Sequence, residues 1–108
     1  MAEAPAIGRL WRGRALPANA ELYQEHLRLA TLPELKALEG FERAYVLRRS
    51  EAIDVEFVVL TIWASEASVR GFAGADPEAG VVPLAARRVL HSFDERARHY
   101  EVALSEAS

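Results

Sequence analysis

The stretch Phe57-Val58-Val59-Leu60-Thr61-Ile62-Trp63-Ala64 is apolar on both faces and is interrupted only by Thr61. At strand periodicity, Phe57, Val59 and Trp63 point one way, and Val58, Leu60 and Ile62 the other. A strand of this kind belongs in the middle of a sheet, covered on both sides. The run falls short of the roughly 18–20 residues that a membrane helix needs. The chain therefore requires neighbouring strands, a layer of helices for one face, and a cover for the other.

The flanking sequence supplies the neighbours. Ala6 to Leu16 reads as a first strand, with Ile7, Arg9, Trp11 and Gly13 on one face and Gly8, Leu10 and Arg12 on the other. Pro17 cannot continue a ladder and suits the first turn of a helix. A helix over Pro17 to Ala30 places Tyr23, Leu27 and Ala30 at i, i+4 and i+7, flanked by Leu22, His26 and Leu29. Pro33 is expected to break it, with Thr31-Leu32-Pro33-Glu34 capping a further turn that Gly40 stops. Arg43 to Arg49 and Val55 to Trp63 form a hairpin around Ser50 to Ile53. Pairing Arg49 with Val55 would set Arg48 opposite Glu56, Leu47 opposite Phe57 and Tyr45 opposite Val59. Ser65 caps a short helix whose stripe is Val69, Phe72 and Ala73 and whose end is Gly74. Asp76-Pro77-Glu78 starts another helical piece, which Pro83 interrupts and Leu84 to Leu90 resumes. Phe93 to Leu104 is a last, charged edge strand.

The order β-α-β-β-α-β is the ferredoxin-like arrangement: an α+β fold with a four-stranded antiparallel-type sheet and helices on one face. The first and third strands are expected at its centre, running parallel. Leu10, Val46, Val58, Leu60 and Ile62 would then form an apolar second face, and a second copy of the chain is its simplest cover.

Composition narrows the function classes. The 108 residues make one domain, 1–108, with an ordered core of about 6–104. Hydrophobic content of 51% with a net charge of −3 excludes a disordered chain. That charge also argues against nucleic-acid binding. With no cysteine there is no thiolate nucleophile or thiolate metal site. His26, His91 and His99 lack HxxH, HxH or HExxH spacing, so no metal is expected. Gly71-Phe72-Ala73-Gly74 is a helix end, not a phosphate loop. Met1 to Pro5 has neither a basic nor an apolar leader segment, and a cytoplasmic, membrane-free location is the expectation.

Several segments, in order and spacing, resemble the antibiotic biosynthesis monooxygenase family: Leu10-Trp11-Arg12-Gly13, Val46-Leu47-Arg48-Arg49, Val55-Glu56-Phe57, Thr61-Ile62-Trp63-Ala64-Ser65-Glu66, Gly71-Phe72-Ala73-Gly74-Ala75-Asp76 and Arg98-His99-Tyr100-Glu101-Val102. The resemblance covers roughly residues 7–102. It implies a homodimeric α+β barrel, two sheets closed face to face. Some members oxidise phenol- or quinol-like compounds with molecular oxygen and no cofactor, and others cleave haem. The Asn, Trp and His positions of the haem-cleaving members carry Arg and Gly, Phe72, and Val or Pro near 81–83 here.

The resemblance makes Trp63 a pocket tryptophan, while its chemistry alone makes it an aromatic plug with a bonded indole N–H. The polar amide or tyrosine that accompanies it in oxygen-using relatives is replaced by Phe57, Val59 and Thr61. His26, inside the apolar arc of the first helix, is either a base poised near neutral pH or a satisfied core histidine. The expected site is thus His26 and Trp63 as catalytic residues, with Tyr23, Leu27, Tyr45, Phe57, Thr61, Phe72 and His91 lining a pocket for a small hydrophobic or aromatic ligand. Two functions follow: a cofactor-independent monooxygenase, or a non-catalytic small-ligand-binding dimer of the same fold.

Overall fold

A computed structural model describes residues 5–108; most of the Met1 to Pro5 segment read above for a leader lies outside them. The chain folds as β1 (Ile7–Ala15), α1 (Pro17–His26), a π-helical turn (Leu27–Thr31), α2 (Leu32–Lys36), β2 (Phe41–Ser50), β3 (Val55–Trp63), α3 (Glu66–Ala73), α4 (Leu84–Arg87), β4 (Ser92–Phe93) and β5 (Arg98–Glu101). The sheet runs β2-β3-β1-β4, with β5 also on β1, so β4 and β5 are two pieces of one edge. This is the ferredoxin-like α+β fold, with the helices packed on one face.

The doubly apolar β3 is central, as its pattern demands. Its neighbour β1 runs antiparallel to it, from Ile7↔Trp63 to Ala15↔Val55, which corrects the expected parallel pair. The reason is topological. A helical crossover returns the chain parallel to β1 as β2, and the hairpin then inserts β3 between them in the opposite sense.

The β2–β3 register also differs from the expected one. Arg49 faces Glu56, Arg48 faces Phe57, Val46 faces Val59 and Tyr45 faces Leu60. The loop closes at four residues, where the Glu51 N–H donates to the Asp54 carbonyl at 2.8 Å, and not at five. A one-residue shift turns every side chain to the other face. Val46 thus joins the helix-facing core, while Tyr45 and Leu47 move to the open face, 45% and 52% exposed.

Three helical expectations are revised. Pro33 does not break the first helix: the Leu32 N–H reaches back five residues to the Leu27 carbonyl, and this wider π turn makes room for the proline ring. Thr31 consequently has helical dihedrals and caps nothing. Asp76-Pro77-Glu78 forms a turn in which Asp76 Oδ1 accepts from the Glu78 N–H at 3.2 Å, because Gly74, Pro77, Gly80 and Pro83 punctuate that segment too densely for a helix. Ser65 does cap α3, exchanging hydrogen bonds with Ser68 at 3.2 Å each. The last strand is broken after Phe93. The Asp94 carbonyl turns to accept the Trp11 indole N–H at 2.7 Å, and the Glu95 carbonyl accepts from Gly80 at 2.7 Å.

Two clusters fill the space between sheet and helices. The larger joins Trp11, Ala15, Tyr23, Leu27, Val55, Phe57 and Val82; the smaller joins Ile7, Leu35, Trp63 and Val69.

Candidate functional site

Where the two clusters meet, the helix-facing side chains of β1 and β3 do not fill the layer. A cavity of about 30 Å³, partly open to the surface, remains, lined from the sheet by Arg9, Trp11, Val59 and Thr61. Tyr23, His26, Leu27, Thr31 and Leu35 line it from the first helical stretch, and Phe72, Val82 and Ala86 from the far side. Leu27 and Thr31 open and close the π turn, so the same distortion that accommodates Pro33 shapes the cavity wall. Such turns recur at functional sites.

Of the expected residues, the fold brings Tyr23, His26, Leu27, Thr61 and Phe72 together around this cavity. Trp63 does not line it. It is fully buried at the end of β3, between Phe41 and Phe72, with ring centroids 5.5 and 6.1 Å away. Its indole N–H donates to Thr61 Oγ1 at 2.9 Å, so it braces two cavity residues from behind. Phe57 lies beneath the floor, edge-on to Tyr23 at 4.9 Å. Tyr45 is on the opposite face of the sheet because of the register. His91 is at the far end, with Nε2 2.9 Å from Asp54 Oδ2. There Arg14 ties Asp54 and Glu56 together at 3.2 and 2.9 Å, in a latch that closes the hairpin onto β1.

The cavity chemistry is dominated by groups without partners. His26 Nε2 is buried and accepts or donates no hydrogen bond. Its ring lies nearly parallel to that of Tyr23, 6.3 Å away. Burial pushes the Tyr23 phenol well above its ordinary range, so it stays neutral. Arg9 was not anticipated as a site residue, although the strand alternation already placed it inward between Ile7 and Trp11. It is 4% exposed, and its guanidinium lies 5.4 Å from the Phe72 ring centroid. One terminal nitrogen donates to the Ala79 carbonyl, while Nε is buried with no partner. Burial lowers its pKa to about 10, with Glu78 opposing, so it remains charged at neutral pH. An unmet buried donor costs about 1–3 kcal/mol.

His99 faces Arg9 across β1 and β5. Its Nδ1 lies 3.0 Å from both Glu66 carboxylate oxygens. Among the described residues, no group of three or more His, Asp or Glu side chains is placed to hold a metal ion. No helix among them is long and apolar enough to cross a membrane.

No protein-family profile matches the chain, and no curated protein matches it in sequence. Solved structures do match. A Bacillus cereus candidate antibiotic biosynthesis monooxygenase superposes with a TM-score of 0.68 at 20% identity, over 97% of this chain and 100% of that one. The fold is that of the antibiotic biosynthesis monooxygenases. A point mutant of SnoaB, a cofactor-independent oxygenase from Streptomyces nogalater, matches at TM-score 0.66 and 16% identity, over 94% and 97% of the two chains. The ActVA-Orf6 monooxygenase of Streptomyces coelicolor, in complex with nanaomycin D, matches at 0.61 and 17%, over 97% and 91%.

Proposed function

We propose that the chain is a cofactor-independent monooxygenase of small phenol- or quinol-like aromatics, working as a homodimer. The observation that carries this reading is the unpartnered His26 Nε2 on a mostly apolar cavity. The oxygen-using proteins of the same fold support it, SnoaB and ActVA-Orf6 among them.

In this mechanism His26 takes the phenolic proton of the substrate. The electron-rich anion passes one electron to molecular oxygen, and the resulting pair combines at the ring carbon opposite the oxygen. The C–H proton at that carbon then passes to the outer peroxide oxygen as the O–O bond breaks. A carbonyl forms there, and hydroxide leaves, protonated by the imidazolium. Phenol and oxygen thus yield quinone and water, the substrate supplying all four electrons. Tyr23, kept neutral by burial, and the aromatic Phe72 and Trp11 hold the ring and exclude water.

A benzene-sized guest needs roughly 150 Å³, far more than the cavity of about 30 Å³ provides. Entry therefore displaces a wall, and the segment over residues 74–83, which contributes Val81, Val82 and Pro83, is the one without regular structure. The absence of an amide beside Thr61 favours a second reading, a non-catalytic binder of the same ligands. Oxygen uptake with a panel of phenols and naphthols that carry hydrogen on the ring carbon opposite the hydroxyl, on metal-stripped protein, separates them. Substrate-dependent uptake with quinone formation supports the oxygenase, and saturable binding without uptake supports the binder.

A further inference from the structure

The cavity holds hydrogen-bond donors for which the protein supplies no acceptor. Arg9 carries its only formal charge, and no Asp or Glu lines it. Arg9 Nε–H is buried and unpaired. Thr61, 3% exposed and opposite Arg9 in the β1–β3 ladder, accepts from the Trp63 indole, so its own hydroxyl proton remains to be donated. Ala79 takes one guanidinium proton, and Glu78 acts on the charge from outside the cavity lining. A purely structural arginine, pinning the 74–83 segment through Ala79 and Phe72, would not need its Nε held dry beside an open space.

We propose that Arg9, with Thr61, forms an anion-recognition site inside the cavity, and that the ligand carries a carboxylate. Two donors on neighbouring strands suit the two oxygens of that group, and a charge-assisted pair with buried donors discriminates strongly against a neutral isostere. The apolar wall of Leu27, Leu35, Phe72 and Val82 takes the remainder of the molecule, so the ligand class is an aromatic acid. This inference rests on the reading of the cavity as the ligand site, but not on any reaction with oxygen.

The test is calorimetric titration of the full chain with benzoate, 4-hydroxybenzoate and 1-hydroxy-2-naphthoate, each against its carboxamide. At least one carboxylate is expected to bind about tenfold or more tightly than its amide, with a change in Trp11 fluorescence. Arg9→Met, which replaces the guanidinium with an apolar chain of similar length, should abolish that preference, and Arg9→Lys should retain part of it. Equal affinity of every acid and amide pair, binding by no carboxylate, or a preference unchanged in Arg9→Met would overturn the proposal. The wild-type comparison decides even if a variant fails to fold. A carboxylate preference without oxygen uptake would leave this site standing and remove only the oxygenase reading.

Discussion

Trp63 donates its indole N–H to Thr61 and stacks behind Phe72, which couples the closed end of the core to two cavity walls without placing the indole in the cavity. Trp63→Phe keeps most of the apolar volume and loses that bond. Stability should fall by about 2 kcal/mol, combining an imperfect core swap with one lost hydrogen bond, and ligand binding should survive. Chemical denaturation and titration of the variant check both. Asp54 offers a second test at this scale. The hydrogen bond from His91 holds its carboxyl below the ordinary carboxylate value, with Arg14 assisting and burial opposing. A group with a depressed folded pKa contributes stability that is intact above the unfolded value, about pH 4. That contribution is lost as pH falls through the lower folded value. Stability profiles of wild type and His91→Ala should therefore lie apart at neutral pH and converge in acid below that point. Curves that stay parallel down to full unfolding would show that the latch does not act through Asp54.

Gly40 fixes the entry into β2. Its φ is +86°, and a Cβ there would lie 2.3 Å from the Ser68 Cβ. Gly40→Ala should cost more than about 2 kcal/mol, through both left-handed strain and collision with the α3 cap, as read from the denaturation midpoint. The 74–83 segment should behave in the opposite way. It is held by the Arg9–Ala79 bond, the Asp76–Arg96 pair at 2.7 Å and the Gly80–Glu95 bond. Its amides should exchange faster than those of β1 and β3, and slow when an aromatic ligand binds. Much of this element plan is legible in the sequence. The double apolar pattern of β3 puts it at the centre, Ser65 and Gly74 bound α3, and Pro17 starts α1. The β2–β3 register is not legible, because both alignments pair Arg with Glu. What decides it is the long-range burial of Asp54 against Arg14 and His91, which local pattern does not encode. That slip is why Tyr45 was expected in the pocket. Arg9 was legible as inward-facing, but its missing partner at Nε depends on the folded surroundings. The π turn depends on how the chain relieves one proline, which helical periodicity does not register.

The molecule measures 51 × 31 × 22 Å, and its thin dimension leaves room for the sheet and one layer of helices, each about 10 Å. Leu10, Val58, Leu60 and Ile62 on the opposite face are only partly buried, and Tyr45, Leu47 and Tyr100 there are 45%, 52% and 50% exposed. An apolar area of this kind is costly in water, and the homodimer proposed above would cover it. Light scattering at micromolar concentration should give twice the 12.0 kDa chain mass; a stable monomer with native circular dichroism would contradict that assembly. The proposed oxidation runs through His26 in the cavity on the helix side. The direct measurement is the rate of oxygen uptake with the best phenolic substrate, compared between wild type and a His26→Gln variant of matched melting temperature. Loss of a general base should slow uptake by about 10²–10⁴-fold while binding persists. Uptake that continues at the wild-type rate in the variant would contradict the account.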